Sequence, residues 1–220
     1  MYQLPLFPLH TVLFPGMPIH LHIFEPRYRE MMRLCLDDQR PFGVVLIRQG
    51  MEALGPLADP FPVGTTAHIT EVATLPDGRM NLVALGDERF RILSIDRSHA
   101  YLTAQVESLP LNTAHTLQVA RGGHLLRKYL ARYIRLLART GLRDLMELNQ
   151  LEMPDDPMFL TYLAAALLQL PAVEKQALLE DVCGQDLQAH VLRLYSREIP
   201  LLARLLGIEE RRAERAAWLN

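Results

Sequence analysis

The feature that most constrains the fold is a change of hydrophobic period near Pro110. Before it, short apolar or alternating runs are separated by Gly, Pro or Asp, which is typical of β-strands. After about residue 116, apolar residues recur every three or four positions, which indicates amphipathic helices. We therefore predict an α+β chain, with a β subdomain over residues 1–112 and a helical subdomain over residues 113–220.

The expected elements can be placed from local patterns. Strands are predicted over residues 4–7, 19–23, 42–47, 65–75, 80–85, 89–95 and 102–107. Asp77-Gly78 predicts a tight hairpin turn, because glycine supplies the positive φ that such a turn needs. Helices are predicted over residues 26–36, 116–141, 142–148, 157–170, 173–182, 187–197 and 200–219. Seven strands with one helix among them indicate a β-barrel, and the short breaks between the later helices indicate a bundle.

Composition indicates a folded cytoplasmic protein. Half of the residues are hydrophobic and the formal net charge is −2, which gives no overall attraction to nucleic acid or membrane. Residues 1–10 lack the pattern of a secretory signal. The most apolar segment, residues 159–170, is shorter than the roughly 20 residues that cross a bilayer. Cys35 and Cys183 are far apart in apolar settings, as expected of reduced thiols in a cytoplasm.

The sequence lacks the common patterns of catalytic chemistry. It contains no Gly-x-x-x-x-Gly-Lys-Ser/Thr loop for phosphates and no Gly-x-Ser-x-Gly elbow for a serine nucleophile. Cys35 and Cys183 resemble small core hydrophobes rather than reactive thiolates. The run Glu25-Pro26-Arg27-Tyr28 is interpreted as a helix start, with the acid near the positive end of the helix dipole. We predict no catalytic residue, no cofactor and no enzyme activity.

Two histidines raise the question of a metal site. His20 and His22 are spaced by two, so they would share one side of a strand, and His10, Glu25 or His68 could complete a ligand set. Alternation favours a simpler arrangement, in which the apolar residues between the histidines are buried and both imidazoles face water. We therefore predict no metal site.

Apolar residues in loops are the candidates for a recognition surface, because loops on a rigid scaffold carry binding residues. An extended polypeptide could contact such anchors, or add a strand to an open sheet edge. The alternative is that Phe14 and Phe61 fold back into the core. The predicted peptide-binding residues are Leu13, Phe14, Met17, Leu54, Leu57 and Phe61.

A basic stripe is the one electrostatic feature that stands out. No acidic residue occurs between Glu107 and Asp144, and five basic residues step by three or four along one predicted helix face. Such a stripe suits an acidic protein, RNA or a phosphate surface. A solvated helix face is the favoured interpretation, because no aromatic residues alternate with the charges. The stripe comprises Lys128, Arg132, Arg135, Arg139 and Arg143.

Several separate motifs, in order along the chain, resemble the N-terminal, substrate-binding domain of Lon proteases. They are LPLFPL at residues 4–9, VLFPG at 12–16, IFEPRY at 23–28, LPDGR at 75–79, Gly86 followed by RFRI at 89–92, and AVEKQALLE at 172–180. The resemblance implies a PUA-like β pseudobarrel followed by a helical bundle. It also implies the selection of unfolded or degron-bearing polypeptides. The sequence ends at Asn220, before the ATPase and peptidase regions that full-length Lon proteases contain, so proteolysis itself is not expected.

Three classes of function follow from these observations. The leading one is a non-catalytic protein-binding module, an adaptor or regulator linked to proteolysis, with a protease or chaperone as a further partner. The second is RNA binding by the basic stripe, which the barrel resemblance also suggests. The third is a small-molecule sensor or hydrolase, which would need a deep pocket with convergent polar groups.

Overall fold

The computed structural model describes residues 1–52, 55, 57–113, 117–139 and 153–207, and it has an α+β architecture. Six strands form one mixed sheet in the order β2-β5-β4-β3-β1-β6, and β5 pairs with β6 as well. Five strands therefore close a ring, while β2 lies outside it with a neighbour on one side. The strands are β1 (Tyr2–Leu9), β2 (Pro18–Ile23), β3 (Phe42–Gln49), β4 (Asp59–Thr74), β5 (Met80–Asp96) and β6 (Thr103–Ser108).

The chain direction in the sheet follows the connections. β1 pairs with β3 in parallel, across a connection that contains β2 and the first helix, and the other pairs are antiparallel. The predicted Asp-Gly turn joins β4 to β5: Gly78 has φ +78° and donates its N–H to the carbonyl of Leu75 at 2.8 Å. The hairpin prediction is confirmed.

One strand prediction is wrong, since residues 80–85 and 89–95 belong to the single strand β5. The charged run between them was expected to end a strand. Thr66 on β4 instead repairs the irregular ladder: its hydroxyl donates to the carbonyl of Glu88, and the Glu88 N–H donates to that hydroxyl. The side chain thus replaces ladder hydrogen bonds where the register shifts, and the strand continues.

Five helices are described: α1 (Pro26–Asp37), α2 (Leu117–Ala138), α3 (Pro157–Leu167), α4 (Ala172–Glu180) and α5 (Gly184–Leu205). Pro200 was expected to begin a new helix, yet it lies inside α5. Proline removes one backbone donor, to the carbonyl four residues earlier. That carbonyl belongs to Ser196, and both residues lie on the exposed side of α5, where water can hydrate it. The predicted helix over residues 142–148 falls outside the described residues.

One apolar core spans strands and helices. It contains Phe42 and Ala84 from the sheet together with Leu126 and Val191 from α2 and α5. A smaller cluster of buried residues comes from strands of the ring and from Leu102, and it includes Leu6, Val45 and Phe90. Because the larger core crosses residue 112, the two predicted subdomains pack into a shared interior, and their boundary stays a prediction.

Polar contacts also join the sheet to the helices. Arg89 on β5 is buried, and its Nη1 donates to the carbonyls of Leu179, at 2.7 Å, and Asp181, at the C-terminal end of α4. Burial lowers the pKa of this guanidinium from its ordinary value. Gln176 on α4 donates its Nε2 to the carbonyl of Val63 at 3.0 Å. These contacts hold α4 against β4 and β5.

Candidate functional site

The most open feature of the sheet is the outer edge of β2. Its residues pair antiparallel with β5, from Pro18 opposite Leu85 to Ile23 opposite Met80. In such a pair, alternate residues direct their N–H and C=O groups away from the partner strand. No strand in the described part of the chain pairs with this second edge. It therefore offers backbone hydrogen-bonding groups to another chain.

A groove of about 470 Å³, here called the sheet groove, crosses the surface where β2, β5 and β4 lie side by side. The strand register sets two rows of side chains across it: His20, Val83 and Glu71, then His22, Asn81 and Ala73. Nδ1 of His22 lies 2.6 Å from Oδ1 of Asn81, which holds the ring against β5. Val83, the apolar residue between His20 and Glu71 in the first row, is half-buried and supplies an apolar contact.

A second hollow of about 290 Å³, here called the edge hollow, lies beside β2 toward β1 and the start of α1. Phe7 and Leu9 from β1 and Tyr28 from α1 form a buried apolar lining, and the rings of Phe7 and Tyr28 are 4.5 Å apart. Phe24, at the end of β2, is 44 % exposed and stacks on His22 with centroids 6.1 Å apart. Residues 20–22 line both depressions, so β2 separates them.

Carboxylates dominate the charge around β2. Glu71 lines the sheet groove, and Glu25 and Glu52 line the edge hollow, whereas no lysine or arginine of the described residues lines either depression. Glu25 accepts a hydrogen bond from Nε of Arg27 at 2.8 Å, which offsets its charge. Glu52 accepts from the backbone N–H of His10 at 3.1 Å. Among the residues that the structure describes, no cationic side chain pairs with Glu71 or Glu52.

The run Glu25-Pro26-Arg27-Tyr28 is a helix start, as predicted. Glu25 precedes the first turn of α1 and Pro26 opens that turn, where a missing N–H costs no hydrogen bond. Arg27 also donates to the carbonyl of Gly55 at 3.3 Å and lies 4.8 Å from the ring centre of Tyr28. Burial raises the pKa of Tyr28, so the phenol in the edge hollow stays neutral.

Three of the six predicted peptide contacts are placed in the core, which corrects their assignment to an exposed surface. Leu13, Phe14 and Met17 are buried, and the ring of Phe14 lies 6.2 Å from that of Tyr162 on α3. The loop is fixed to β5 because the N–H of Gly86 donates to the carbonyl of Met17 at 2.9 Å. The structure thus agrees with the alternative prediction for this loop, in which Phe14 folds back into the core.

Of the other three predicted contacts, Leu54 and Leu57 precede β4 and Phe61 lies near its start. Leu57 and Phe61 are half-buried, and Leu57 packs against the smaller core cluster. Leu54 lies outside the described residues. A binding role for these residues stays a prediction.

The basic stripe lies on the solvent side of α2. Lys128, Arg132, Arg135 and Arg139 are exposed, while Arg143 lies outside the described residues. Arg135 donates its Nε to the carbonyl of Ala131, one turn earlier, at 3.2 Å. The apolar face of α2 points inward with Leu126 and Leu130 fully buried, as the period predicts. The stripe is an exposed helix face, and a ligand for it stays a prediction.

The histidines face water as alternation predicts, since His20 and His22 are exposed while Ile23 is buried. In the described ranges, no group of three His, Cys, Asp or Glu side chains is arranged to hold a metal ion. Cys35 is buried, and burial raises the pKa of its thiol to about 11. The described helices include none that is long and apolar enough to span a membrane.

The sequence identified the alternation of β2 but missed its position at the end of the sheet. Strand order depends on pairings between segments that are distant in sequence, such as Ile23 with Met80. One local signal was available: β2 contains polar residues at every second position, which is typical of a strand with one solvated face. No local pattern indicates which of its two edges is paired.

Comparison with known proteins adds an independent line of information. A family model for the ATP-dependent protease La (LON) substrate-binding domain matches residues 3–194. A Lon protease of Paraburkholderia phytofirmans is 33 % identical over 177 residues, which cover 79 % of this chain and 22 % of that protein. The Lon protease of Escherichia coli K12 is 26 % identical over 204 residues, 91 % of this chain and 25 % of that protein. The chain therefore spans about a quarter of the length of these relatives.

Two solved structures share the fold. A Lon N-terminal domain protein from Xanthomonas campestris superposes with a TM-score of 0.62 at 26 % identity, covering 88 % of this chain and 98 % of that one. The N-terminal domain of a Mycobacterium avium complex Lon protease also gives 0.62, at 20 % identity, with 89 % and 98 % covered. The second likeness concerns the fold alone.

Proposed function

This chain belongs to the family of ATP-dependent protease La (LON) substrate-binding domains, and on that premise we propose that it binds unfolded or degron-bearing polypeptides without cutting them. The observation that carries the proposal is the pair of depressions on either side of an unpaired strand edge. They expose apolar side chains, and the edge exposes backbone groups, which are the two means by which extended polypeptides are recognised irrespective of exact sequence.

The chemistry of the site favours binding over catalysis. Its polar side chains are two exposed imidazoles, an amide and carboxylates. The imidazole of His22 forms a hydrogen bond with the neutral side chain of Asn81 and not with a carboxylate. A nucleophile with an activating base would need an alcohol or thiol within hydrogen-bond distance of such a base. The residues lining the two depressions include no serine, threonine or cysteine among those described. The site is thus suited to contact a chain and release it unchanged.

A binding assay with a permanently unfolded, carboxymethylated protein tests the proposal. We expect fluorescence anisotropy to show saturable binding with a Kd in the range of roughly 1–100 µM. Val83→Ser should weaken binding about fivefold, because about 1 kcal/mol of apolar contact is lost. Leu93→Ser is the matched control: Leu93 is 43 % exposed on β5 but lines neither depression. The affinity of the Leu93→Ser variant for the unfolded protein should stay within twofold of that of the unchanged chain.

Absence of saturation at about 100 µM would contradict the proposal, as would equal losses in the two variants. An affinity that appears with RNA instead, and that is lost on charge reversal at Arg132 and Arg135, would favour the basic stripe and nucleic acid. Such binding should weaken steeply with added salt, because phosphate contacts release counterions.

We further propose that the binding serves a proteolytic system, with this chain as an adaptor or regulator. The proposal predicts that adding the chain changes the rate at which a Lon protease of the same cell degrades the unfolded protein. Val83→Ser should reduce that change in proportion to its loss of affinity. A rate that does not respond to the chain would limit its role to binding.

A further inference from the structure

We propose that the basic stripe of α2 is a second binding surface, which takes an acidic segment of another polypeptide. The observations that carry this inference are the length of the exposed basic face, the single sign of its charges and two exposed leucines beside it. No residue of α2 lines the sheet groove or the edge hollow, so the inference goes beyond the proposed function and does not depend on it.

The first step is the shape of the basic face. The stripe continues two turns toward the start of α2, and its exposed members in the described structure are Arg121, His124, Lys128, Arg132, Arg135 and Arg139. They follow one another at three or four residues, which at about 3.6 residues per turn keeps them within about 80° around the helix axis. The face is about 27 Å long from Arg121 to Arg139, at about 1.5 Å per residue.

The second step is the sign of the charges. α2 contains no aspartate or glutamate. Within the described ranges, Arg121, Lys128 and Arg139 form no ion pair, and Arg135 donates to the backbone carbonyl of Ala131. Like charges one turn apart repel each other, and a carboxylate placed between them relieves that repulsion. Guanidinium groups also bind a carboxylate through two parallel hydrogen bonds. The face therefore attracts an acidic ligand along its whole length.

The exposed faces of two other helices carry both signs of charge. On α1, Glu30 is exposed one turn before Arg33. On α5, Arg197 pairs with Glu198 at 2.7 Å and with Glu174 of α4 at 2.8 Å. Solvation of a helix face is satisfied by either sign, as these faces show. The uniform sign on α2 is what solvation alone does not require.

The third step distinguishes a polypeptide from a nucleic acid. Leu117 is 79 % exposed and Leu125 is 43 % exposed, each one turn from Arg121, so apolar side chains of a ligand can pack beside the charges. Single-stranded nucleic acids stack their bases on accessible aromatic rings. The two tyrosines of α2 do not supply such a platform, since Tyr129 is half-buried and Tyr133 is buried. The expected ligand has several carboxylates over about 27 Å and apolar residues near one end.

Labelled peptides of about 18 residues, the length of a helix that matches the face, test the inference. One carries glutamate at every third or fourth position among alanines, with two leucines near one end, and its counterpart carries glutamine in place of glutamate. We expect the full chain to bind the glutamate peptide at least about tenfold more tightly, because several exposed ion pairs contribute about two- to fivefold each. Added salt should reduce this preference.

A double variant, Lys128→Gln with Arg135→Gln, tests whether the stripe is responsible. It should reduce the preference for the glutamate peptide by about 4- to 25-fold, the product of two exposed ion pairs. The control is Arg33→Gln on α1 with Arg193→Gln on α5, which removes two exposed arginines and changes the net charge equally. The control should keep the preference within about twofold. Circular dichroism verifies that both double variants are folded.

Zero-length cross-linking gives a readout that does not require a variant. The chain contains two lysines, Lys128 on the stripe and Lys175 on α4. The Nζ of Lys175 is partly buried and donates to the carbonyl of Ala166 at 2.7 Å. A carbodiimide joins carboxylates to amines, so it should link the glutamate peptide to Lys128 rather than to Lys175, as mass spectrometry would show.

Three results would overturn the inference: equal affinity for the glutamate and glutamine peptides, equal losses in the two double variants, or cross-links that omit Lys128. A single-stranded RNA of similar length is the further probe. If it binds more tightly than the glutamate peptide and loses affinity in the stripe variant, the stripe is a nucleic-acid surface and the inference is wrong. The proposed function is tested separately by Val83→Ser in the sheet groove, so either proposal can fail while the other stands.

Discussion

Replacing Phe14 by alanine separates a core residue from a recognition residue. The phenyl ring has 0 % exposure and packs with Tyr162 of α3, so it joins the loop after β1 to the helices. A buried aromatic side chain removes about 150–250 Å² from water. At about 25 cal/mol per Å², this corresponds to about 4–6 kcal/mol. Measured losses for such replacements are about 3–5 kcal/mol, and we expect Phe14→Ala to lie in that range.

The assay is urea denaturation followed by circular dichroism, together with peptide affinity of the folded fraction. A loss of 3–5 kcal/mol is a large part of the about 5–15 kcal/mol that typically separates folded from unfolded protein. Phe24→Ala is the counterpart: with 44 % of this residue exposed in the edge hollow, it should cost less than about 1 kcal/mol but weaken peptide binding. A stable Phe14→Ala variant that had lost peptide affinity would refute this reasoning.

Three further perturbations test single contacts. Arg89→Ala should reduce the free energy of unfolding, measured by urea denaturation, by about 2 kcal/mol, because two charge-assisted hydrogen bonds to α4 are lost. In the same assay, Arg91→Ala on the exposed side of β5 should change this free energy by less than about 0.5 kcal/mol. Asp156→Ala should lower the Tm by about 2–4 °C, since the carboxylate caps α3 by accepting from the N–H groups of residues 158 and 159. An unchanged Tm in calorimetry would contradict the capping role. Iodoacetamide at pH 8 should label Cys183 and spare Cys35, whose pKa of about 11 leaves roughly 0.1 % thiolate. Rapid labelling of Cys35 in the folded chain would show that α1 opens.

The period of the apolar residues was sufficient to predict the class of fold. Leu126, Leu130 and Tyr133 recur at helical spacing and are buried together on one side of α2. On β2, alternation predicted that His20 and His22 face solvent, and they do. Such patterns succeed because burial of an apolar face is the largest favourable term for each element, and the face is encoded by residues of that element alone.

The errors occurred where contacts distant in sequence decide the structure. The charged residues before Arg89 looked like the end of a strand, but the hydroxyl of Thr66, 22 residues earlier, pairs with the backbone of Glu88 and extends β5. Phe14 looked equally suited to a surface or to the core, and its burial depends on Tyr162 of α3. Neither partner is visible in the local sequence, so no local rule could have made these choices.

The candidate site shows a similar division between local and distant information. The prediction that the histidines of β2 face water was correct, and it served only to reject a metal site. In the structure the alternation of β2 turns both imidazoles to water, and the position of β2 at the end of the sheet leaves its second edge accessible. The exposed face could be predicted from the strand itself, whereas the unpaired edge depends on pairings between distant segments.

The length of β2 also bears on how firmly a polypeptide would be held. Three outward residues supply at most six backbone hydrogen bonds, and each contributes about 0.5–1.5 kcal/mol after exchange with water. Association and the ordering of an extended chain cost an amount of similar size, estimated at about 4–15 kcal/mol. The apolar contacts in the edge hollow must then provide most of the net affinity, which places the Kd in the micromolar range. A longer edge would bind more tightly but release its polypeptide more slowly, so a six-residue edge flanked by an apolar hollow suits a module that captures a segment and passes it on.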